Sequence, residues 1–163
     1  MNKKISLINI LILILLGYLV ITFVLFFFQR NLLYYPAINN YSGEKLNVSV
    51  EKVKIKTEDN IELLSWYHKK NSGDYKTILF LHGNDGPRSK GMWSMMMQAF
   101  ADKGYNTLAF DQRGFSPEAS PYLQSEYNYD KLADDIFAIA DIYFGVSSKF
   151  HLVAHDQGAR LGW

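Results

Sequence analysis

Phe150-His151-Leu152-Val153-Ala154-His155-Asp156-Gln157-Gly158-Ala159-Arg160 is the stretch that decides the fold. Phe150 to Ala154 is a short apolar and β-branched run, as expected of a strand buried in a sheet. A turn follows at His155-Asp156, and Gly158-Ala159-Arg160 opens a helix. The centre reads Ala154-x-Asp156-x-Gly158, with a small residue two positions either side of a nucleophilic one. A sharp strand-to-helix elbow requires that spacing, because it lifts one side chain over the end of the sheet while neighbouring backbone passes too close for bulk. The helix that follows presents N–H groups and the positive end of its dipole to whatever charge develops there.

Working back from the elbow, the chain alternates strand and helix signals. Thr77 to Leu81 is a continuous apolar run, the pattern of a central strand covered on both faces, and His82-Gly83-Asn84 follows it. The spacing then predicts a helix from Gly91 to Lys103, with Trp93, Met96, Met97 and Phe100 on one face. The Met cluster reads as adaptable core packing. Asn106 to Phe110 is another buried strand. Asp111-Gln112-Arg113-Gly114 after it reads as a structured turn, whose Asp and Arg fix loops and do not touch substrate. A second helix is predicted from Asp130 to Phe144, with Leu132, Ile136, Ile139 and Tyr143 inward. Asp134, Asp135 and Asp141 are expected to face largely to solvent, and Gly145 ends the helix. Earlier, Val48, Val50, Val53, Ile55 and Thr57 alternate, with a phase slip near Glu51-Lys52 that suggests a bulge. Thr57-Glu58-Asp59-Asn60 is turn chemistry leading into a strand from Ile61 to Tyr67, and Asn71-Ser72-Gly73-Asp74 is a loop. A hairpin followed by parallel strands with crossover helices is an α/β architecture.

The N-terminus is of another kind. Ile5 to Phe28 carries no charged residue and is dominated by Leu, Ile, Val and Phe. As a helix it would span about 36 Å, enough for a hydrocarbon core of about 30 Å. It is too long for the apolar region of an ordinary signal peptide and no small-x-small cleavage site follows, so a transmembrane anchor is expected. The amino terminus, Lys3 and Lys4 precede it and only Arg30 follows before Lys45, which favours a cytoplasmic N-terminus and an exported globular part. Gln29 to Leu46 is a polar-aromatic connector, where Tyr34-Tyr35 either lie in the membrane interface or pack on the domain. A net charge of +1 gives no reason to expect a nucleic acid partner. The absence of Cys excludes disulfides and thiolate metal sites, and the four His show no metal-ligand spacing.

Residues 76–163 resemble the epoxide hydrolase and haloalkane dehalogenase branch of the α/β-hydrolases. The matching text is Leu81-His82-Gly83-Asn84, Asp111-Gln112-Arg113-Gly114-Phe115-Ser116-Pro117 and Phe150 to Ala159. Residues 1–70 resemble membrane-anchored α/β-hydrolases that usually carry Ser, through Gln29-Arg30-Asn31-Leu32-Leu33-Tyr34-Tyr35-Pro36 and the Thr57 to Leu63 hairpin. The resemblance implies the N-terminal half of an α/β-hydrolase fold behind a transmembrane helix. Residues 1–28 would be the anchor, 29–47 a connector and 48–163 a partial hydrolase domain ending just after the elbow.

It also implies a chemistry. Asp156 would be the nucleophile, with the backbone N–H groups of Asn84 and Gln157 forming an oxyanion hole, and with no cofactor or metal. Carboxylates are anions near neutrality and need no base to attack an sp³ carbon bearing a strained oxygen or a halide; the product is an alkyl ester on the enzyme. Hydrolysis of that ester needs a His-activated water. The acid and the His lie beyond the elbow in this family's order, so the chain reads as incomplete after Trp163. His155 should point away from the reacting face, His82 shapes the oxyanion loop, and His68 and His151 are a surface and a core-edge residue. Two departures matter. Gln157 stands where dehalogenases often have Trp, which disfavours dehalogenation, and Phe115-Ser116-Pro117 matches the epoxide-hydrolase-like subset. The substrate implied is a small epoxide, halide or ester. The alternatives are a catalytically inactive, truncated hydrolase-like membrane protein and a degenerate anchored serine hydrolase or esterase.

Overall fold

The computed structural model describes residues 6–33, 49–69, 76–83, 90–116 and 118–163. It divides the chain into two units, residues 1–33 and 34–163. The first is a single helix, α1 (Leu7–Leu33), five residues longer at its C-terminal end than the apolar run alone indicates. Its segment Leu7–Gln29 has a mean hydropathy of 3.1 and is long and apolar enough to cross a membrane. The expected connector, residues 29–47, is corrected at its start: residues 29–33 continue α1, and residues 34–47 lie outside the described residues.

The second unit is a mixed sheet with helices on both faces. Its elements are β1 (Glu51–Lys56), β2 (Glu62–His68), β3 (Thr77–Leu81), α2 (Lys90–Asp102), β4 (Asn106–Phe110), α3 (Tyr129–Phe144), β5 (His151–Ala154) and α4 (Gln157–Leu161). The sheet order is β1-β2-β4-β3-β5. β1, β2 and β4 pair antiparallel, whereas β3 pairs parallel with β4 on one side and with β5 on the other. Parallel neighbours need crossovers, and α2 and α3 supply them.

The apolar run of β3 is explained by its two faces. Leu79 and Leu81 join Leu63, Leu108, Ile136 and Ile139 in one core cluster, while Ile78 and Phe80 pack with Trp66, Trp93 and Met97 in the other. All five β3 residues are buried. α2 uses its predicted apolar face against the second cluster, and α3 packs Ile136 and Ile139 into the first and also buries Leu132. Asn128 caps α3 by accepting the Lys131 N–H at 2.9 Å, and Gly145 ends it at φ +91°, a conformation that L side chains rarely adopt.

Two expectations are corrected. There is no bulge at Glu51-Lys52: β1 pairs with β2 residue for residue, from Glu51 opposite Tyr67 to Lys56 opposite Glu62. The apparent slip arises because Val50 precedes the strand and does not share its alternation. Asp135 is buried, not solvent-facing. It lies three residues after Leu132 and four before Ile139, on the apolar face itself, and a cation reaches it from elsewhere in the chain.

Candidate active site

The elbow is built where the C-terminal ends of β3 and β5 meet. β5 delivers the chain alongside β3, with Ala154 opposite Leu81, and the His155 N–H continues the ladder onto the Leu81 carbonyl at 3.2 Å. The backbone then reverses at Asp156, which adopts φ +53° and ψ −118°. A positive φ at a non-glycine residue costs roughly 1–3 kcal/mol and persists only where the surroundings enforce it. Here α4 enforces it from the far side, with Arg160 N–H bonded to the Asp156 carbonyl at 3.2 Å and Gly158 N–H to the His155 carbonyl at 3.0 Å.

Close packing fixes the elbow against the end of β3. A methyl group at Gly158 would lie 2.6 Å from the Leu81 carbonyl oxygen and 2.7 Å from that of His82. A methyl group at Gly83 would lie 2.7 Å from Asp156 Cβ and 3.0 Å from both Asp156 Oδ2 and His155 Nδ1. The two glycines are therefore the two halves of one contact: the post-β3 loop and the elbow approach each other at backbone distance. Asp156 is exposed, at the start of α4, and Gln157 follows it, half-buried. Asn84, the expected partner of Gln157 in an oxyanion hole, lies outside the described residues.

The loop after β3 is held by the loop after β4. Both His82 and Gln112 are buried. The Gln112 backbone N–H donates to His82 Nε2 at 2.9 Å, and the Gln112 side-chain amide donates to the His82 carbonyl at 2.6 Å. Since the Gln112 N–H can only donate, Nε2 is an acceptor and the imidazole proton sits on Nδ1. From there it donates to the Gly83 carbonyl at 2.7 Å. Phe115 closes the ring edge-on at 4.9 Å. The sequence marks His82 as shaping this loop; Gln112 carries no such signal, because a polar pair between two loops follows neither helical nor strand periodicity.

Arg113, one residue on, is a buried hub. Its guanidinium donates to Asp135 at 3.0 and 2.7 Å and to Asp59 at 2.6 and 3.1 Å, tying the β1–β2 turn, the post-β4 loop and α3 together. The hydrogen bonds from Arg113 hold the Asp59 carboxyl down to about 2. Burial pushes Asp135 up, against the pull of the same guanidinium. A cleft of about 290 Å³ lies beside this hub, lined by Glu58, Lys131, Asp134 and Phe137 among others, and none of the elbow residues lines it. His68 Nδ1 donates to the Ser49 carbonyl at 2.7 Å, and the exposed His151 ring lies edge-on to Tyr105.

With this geometry in view, four similarities are informative. The sequence profile of the alpha/beta hydrolase fold matches residues 76–163. Epoxide hydrolase 3 of Mus musculus is 33% identical over 129 residues, 78% of this chain and 32% of the mouse protein. The crystal structure of an epoxide hydrolase from Vigna radiata superposes with a TM-score of 0.59 at 31% identity, covering 75% of this chain and 35% of that one. A Pyrococcus furiosus esterase superposes with a TM-score of 0.62 at 25% identity over 78% of this chain and 48% of its own. The chain thus spans about a third of the length of the epoxide hydrolases it matches. By sequence profile and topology together, the chain belongs to the alpha/beta hydrolase fold family, and within it is similar to epoxide hydrolases.

Proposed function

We propose that Asp156 is the nucleophile of an epoxide-hydrolase-like reaction that passes through an ester on the protein. The observation that carries this is the backbone of Asp156, held at positive φ between β5 and α4 and packed against Gly83. A carboxylate oxygen attacks an epoxide carbon; the new C–O bond forms as the ring C–O bond breaks, and the ring oxygen leaves as an alkoxide that takes a proton from solvent. Water then attacks the ester carbonyl, and the resulting oxyanion is received by the backbone N–H groups of Gln157 and Asn84 before the diol departs. That attack requires a base, the role a His takes in such hydrolyses. Among the chain's own histidines His82 has both ring nitrogens engaged, as Nε2 acceptor and Nδ1 donor. The substrate class is a small epoxide.

The test is intact-mass analysis of the full chain in detergent micelles after saturating styrene oxide. One added reagent mass that is absent in Asp156→Asn is expected. A wild-type chain left unmodified under saturation overturns the nucleophile assignment and favours a non-catalytic, hydrolase-like membrane protein.

α1 is proposed as a single-pass anchor with its N-terminus cytoplasmic, supported by the cations that precede it. Because the chain has no Cys, Lys149→Cys at an exposed position supplies one thiol. Labelling of intact cells by a membrane-impermeant maleimide is expected; labelling only after lysis refutes the orientation.

A further inference from the structure

We propose that the tip of the loop after β4, Pro121-Tyr122-Leu123, is a docking contact for a lipid surface. The inference rests on the reading of α1 as a membrane anchor and is independent of the nucleophile assignment. Tyr122 is 89% exposed and Leu123 59%, side by side where the loop enters a single 3-10 turn, Gln124–Tyr127. The run from Ala119 to Ser125 carries no charge. An acid stands at each of its shoulders, and each is paired: Glu118 with Lys54 Nζ at 2.7 Å, and Glu126 with Lys131. The tip therefore presents an aromatic and an aliphatic side chain with neutralised charge behind them. That composition favours the boundary between lipid headgroups and acyl chains.

The tip is also held in place before it meets anything. Ala119 is fully buried in the core cluster of Leu63, Leu108 and Ile136 and fixes the base of the loop. Its carbonyl accepts the Gly114 N–H at 2.6 Å, and its N–H donates to the Ser116 carbonyl at 3.1 Å. On the other side the Tyr127 hydroxyl donates to the Pro121 carbonyl at 2.7 Å, and the Glu126 N–H to the Leu123 carbonyl at 3.1 Å. A loop already fixed loses little conformational freedom when its side chains are buried, so little of the gain from burial is offset by ordering.

The rest of the chain names the occupant. Leu7–Gln29 is long and apolar enough to cross a bilayer, and the fifteen residues 34–48 join α1 to the second unit. At ~3.6 Å each they reach at most roughly 55 Å, whatever their conformation. Every encounter between the tip and the bilayer is then intramolecular, and a contact too small to recruit a free protein suffices for a tethered one. Phe137 and Ile142, exposed to a similar degree on α3, lack the uncharged setting of the tip. Phe137 lies between Asp134 and Asp141, which share its face of the helix, and Ile142 is next to Asp141.

The experiment uses the full chain in phosphatidylcholine nanodiscs. Because the chain has no Cys, single substitutions carry the fluorophore NBD one at a time. Gln124→Cys places it beside the tip and Val146→Cys at an exposed reference position. Gly17→Cys places it in α1, where nothing lies within 4 Å of an added Cβ. Quenching by brominated acyl chains is measured at each position. Quenching at position 124 is expected to exceed that at position 146 by about threefold or more, and to fall by about half when Tyr122→Ser is added. The urea midpoint should not move with Tyr122→Ser, because the side chain lies on the surface. Equal quenching at positions 124 and 146 overturns the docking contact, and strong quenching at position 17 in the same series leaves the anchor standing. Quenching at position 124 that is unchanged by Tyr122→Ser overturns the assignment to the tip. A blue shift at position 124 without quenching places a protein, or a second copy of the chain, on the tip and overturns the lipid contact. Absence of quenching at position 17 overturns the anchor reading, and the docking contact then stands only if position 124 is quenched in its own right.

Discussion

Gly158→Ala and Gly162→Ala form a pair of substitutions that separates backbone from side-chain obstruction. Each new methyl group would meet an atom at 2.6 Å, but the atoms differ. At Gly158 it is the Leu81 carbonyl oxygen, with the His82 oxygen at 2.7 Å and the Leu81 carbonyl carbon at 2.8 Å. Carbon atoms rest at ~3.5–4.0 Å from one another, so the end of β3 would have to retreat by roughly 0.7 Å. β3 is pinned by β4 on one side and β5 on the other, and cannot retreat alone. Overpacking costs ~1–3 kcal/mol, and an obstruction made of central-strand backbone belongs at the upper end. Ala in place of a helical Gly returns up to ~1 kcal/mol. The net loss for Gly158→Ala is therefore about 2 kcal/mol. At Gly162 the nearest atom is Leu152 Cδ2, the far end of a side chain already 37% exposed, which can rotate away. Its loss should stay within about 0.5 kcal/mol. The assay is the urea midpoint of the full chains in the same detergent, with slopes checked for constancy. In Gly158→Ala the styrene oxide adduct on Asp156 should also be lost, because the elbow is displaced from its seat. A Gly158→Ala midpoint at or above wild type, or equal losses at both sites, would refute the close-packing argument.

Two further outcomes follow from the Arg113 hub. Arg113→Met removes the partner of Asp135, whose side chain is 2% exposed, and should cost about 3–5 kcal/mol in the same urea titration; a loss below 1 kcal/mol would mean that Asp135 finds another counter-charge, with ~1 kcal/mol being the scale of an exposed pair. Acid titration tests Asp59. Its folded-state value, about 2, lies below the ordinary 3.8, so its contribution is complete above pH ~4 and is lost as pH falls from there through ~2. The full difference would be worth about 2.4 kcal/mol, and the one-third exposure of the side chain brings this to about 1 kcal/mol. That increment should vanish in Arg113→Met, and an unchanged acid limb in the variant would contradict the assignment.

Much of the fold was legible because it repeats. Thr77–Leu81 and Asn106–Phe110 announce themselves as strands by unbroken apolar character, and Trp93, Met97, Leu132, Ile136 and Ile139 mark helix faces by their spacing. The elbow is legible for a different reason: its steric needs confine residues 154, 156 and 158 to a short vocabulary. What stayed hidden is what depends on pairing between distant segments. Asp135 looks like a solvated acid until Arg113 is seen to reach it from 22 residues away. Gln112 looks like an ordinary loop residue until the order β4-β3 sets it beside His82. The false bulge at Glu51-Lys52 came from extending an alternation past the residue where pairing begins.

The sheet order also sets a timetable. β3 is the strand on which both cores converge, yet its two neighbours come later in the chain: Thr107 and His151 are the partners of Ile78, the second of them roughly 70 residues downstream. At ~5–20 residues per second, a growing chain carries β3 with one bare apolar edge for roughly 4–14 s after it leaves the ribosome. During that interval the strand most able to pair with the wrong partner is unguarded on one side. The strand that finally covers it is β5, which leads into the turn at Asp156. In this topology Asp156 cannot take up its strained conformation before the most aggregation-prone edge of the sheet has been sealed, so the elbow forms only after β3 is covered on both sides.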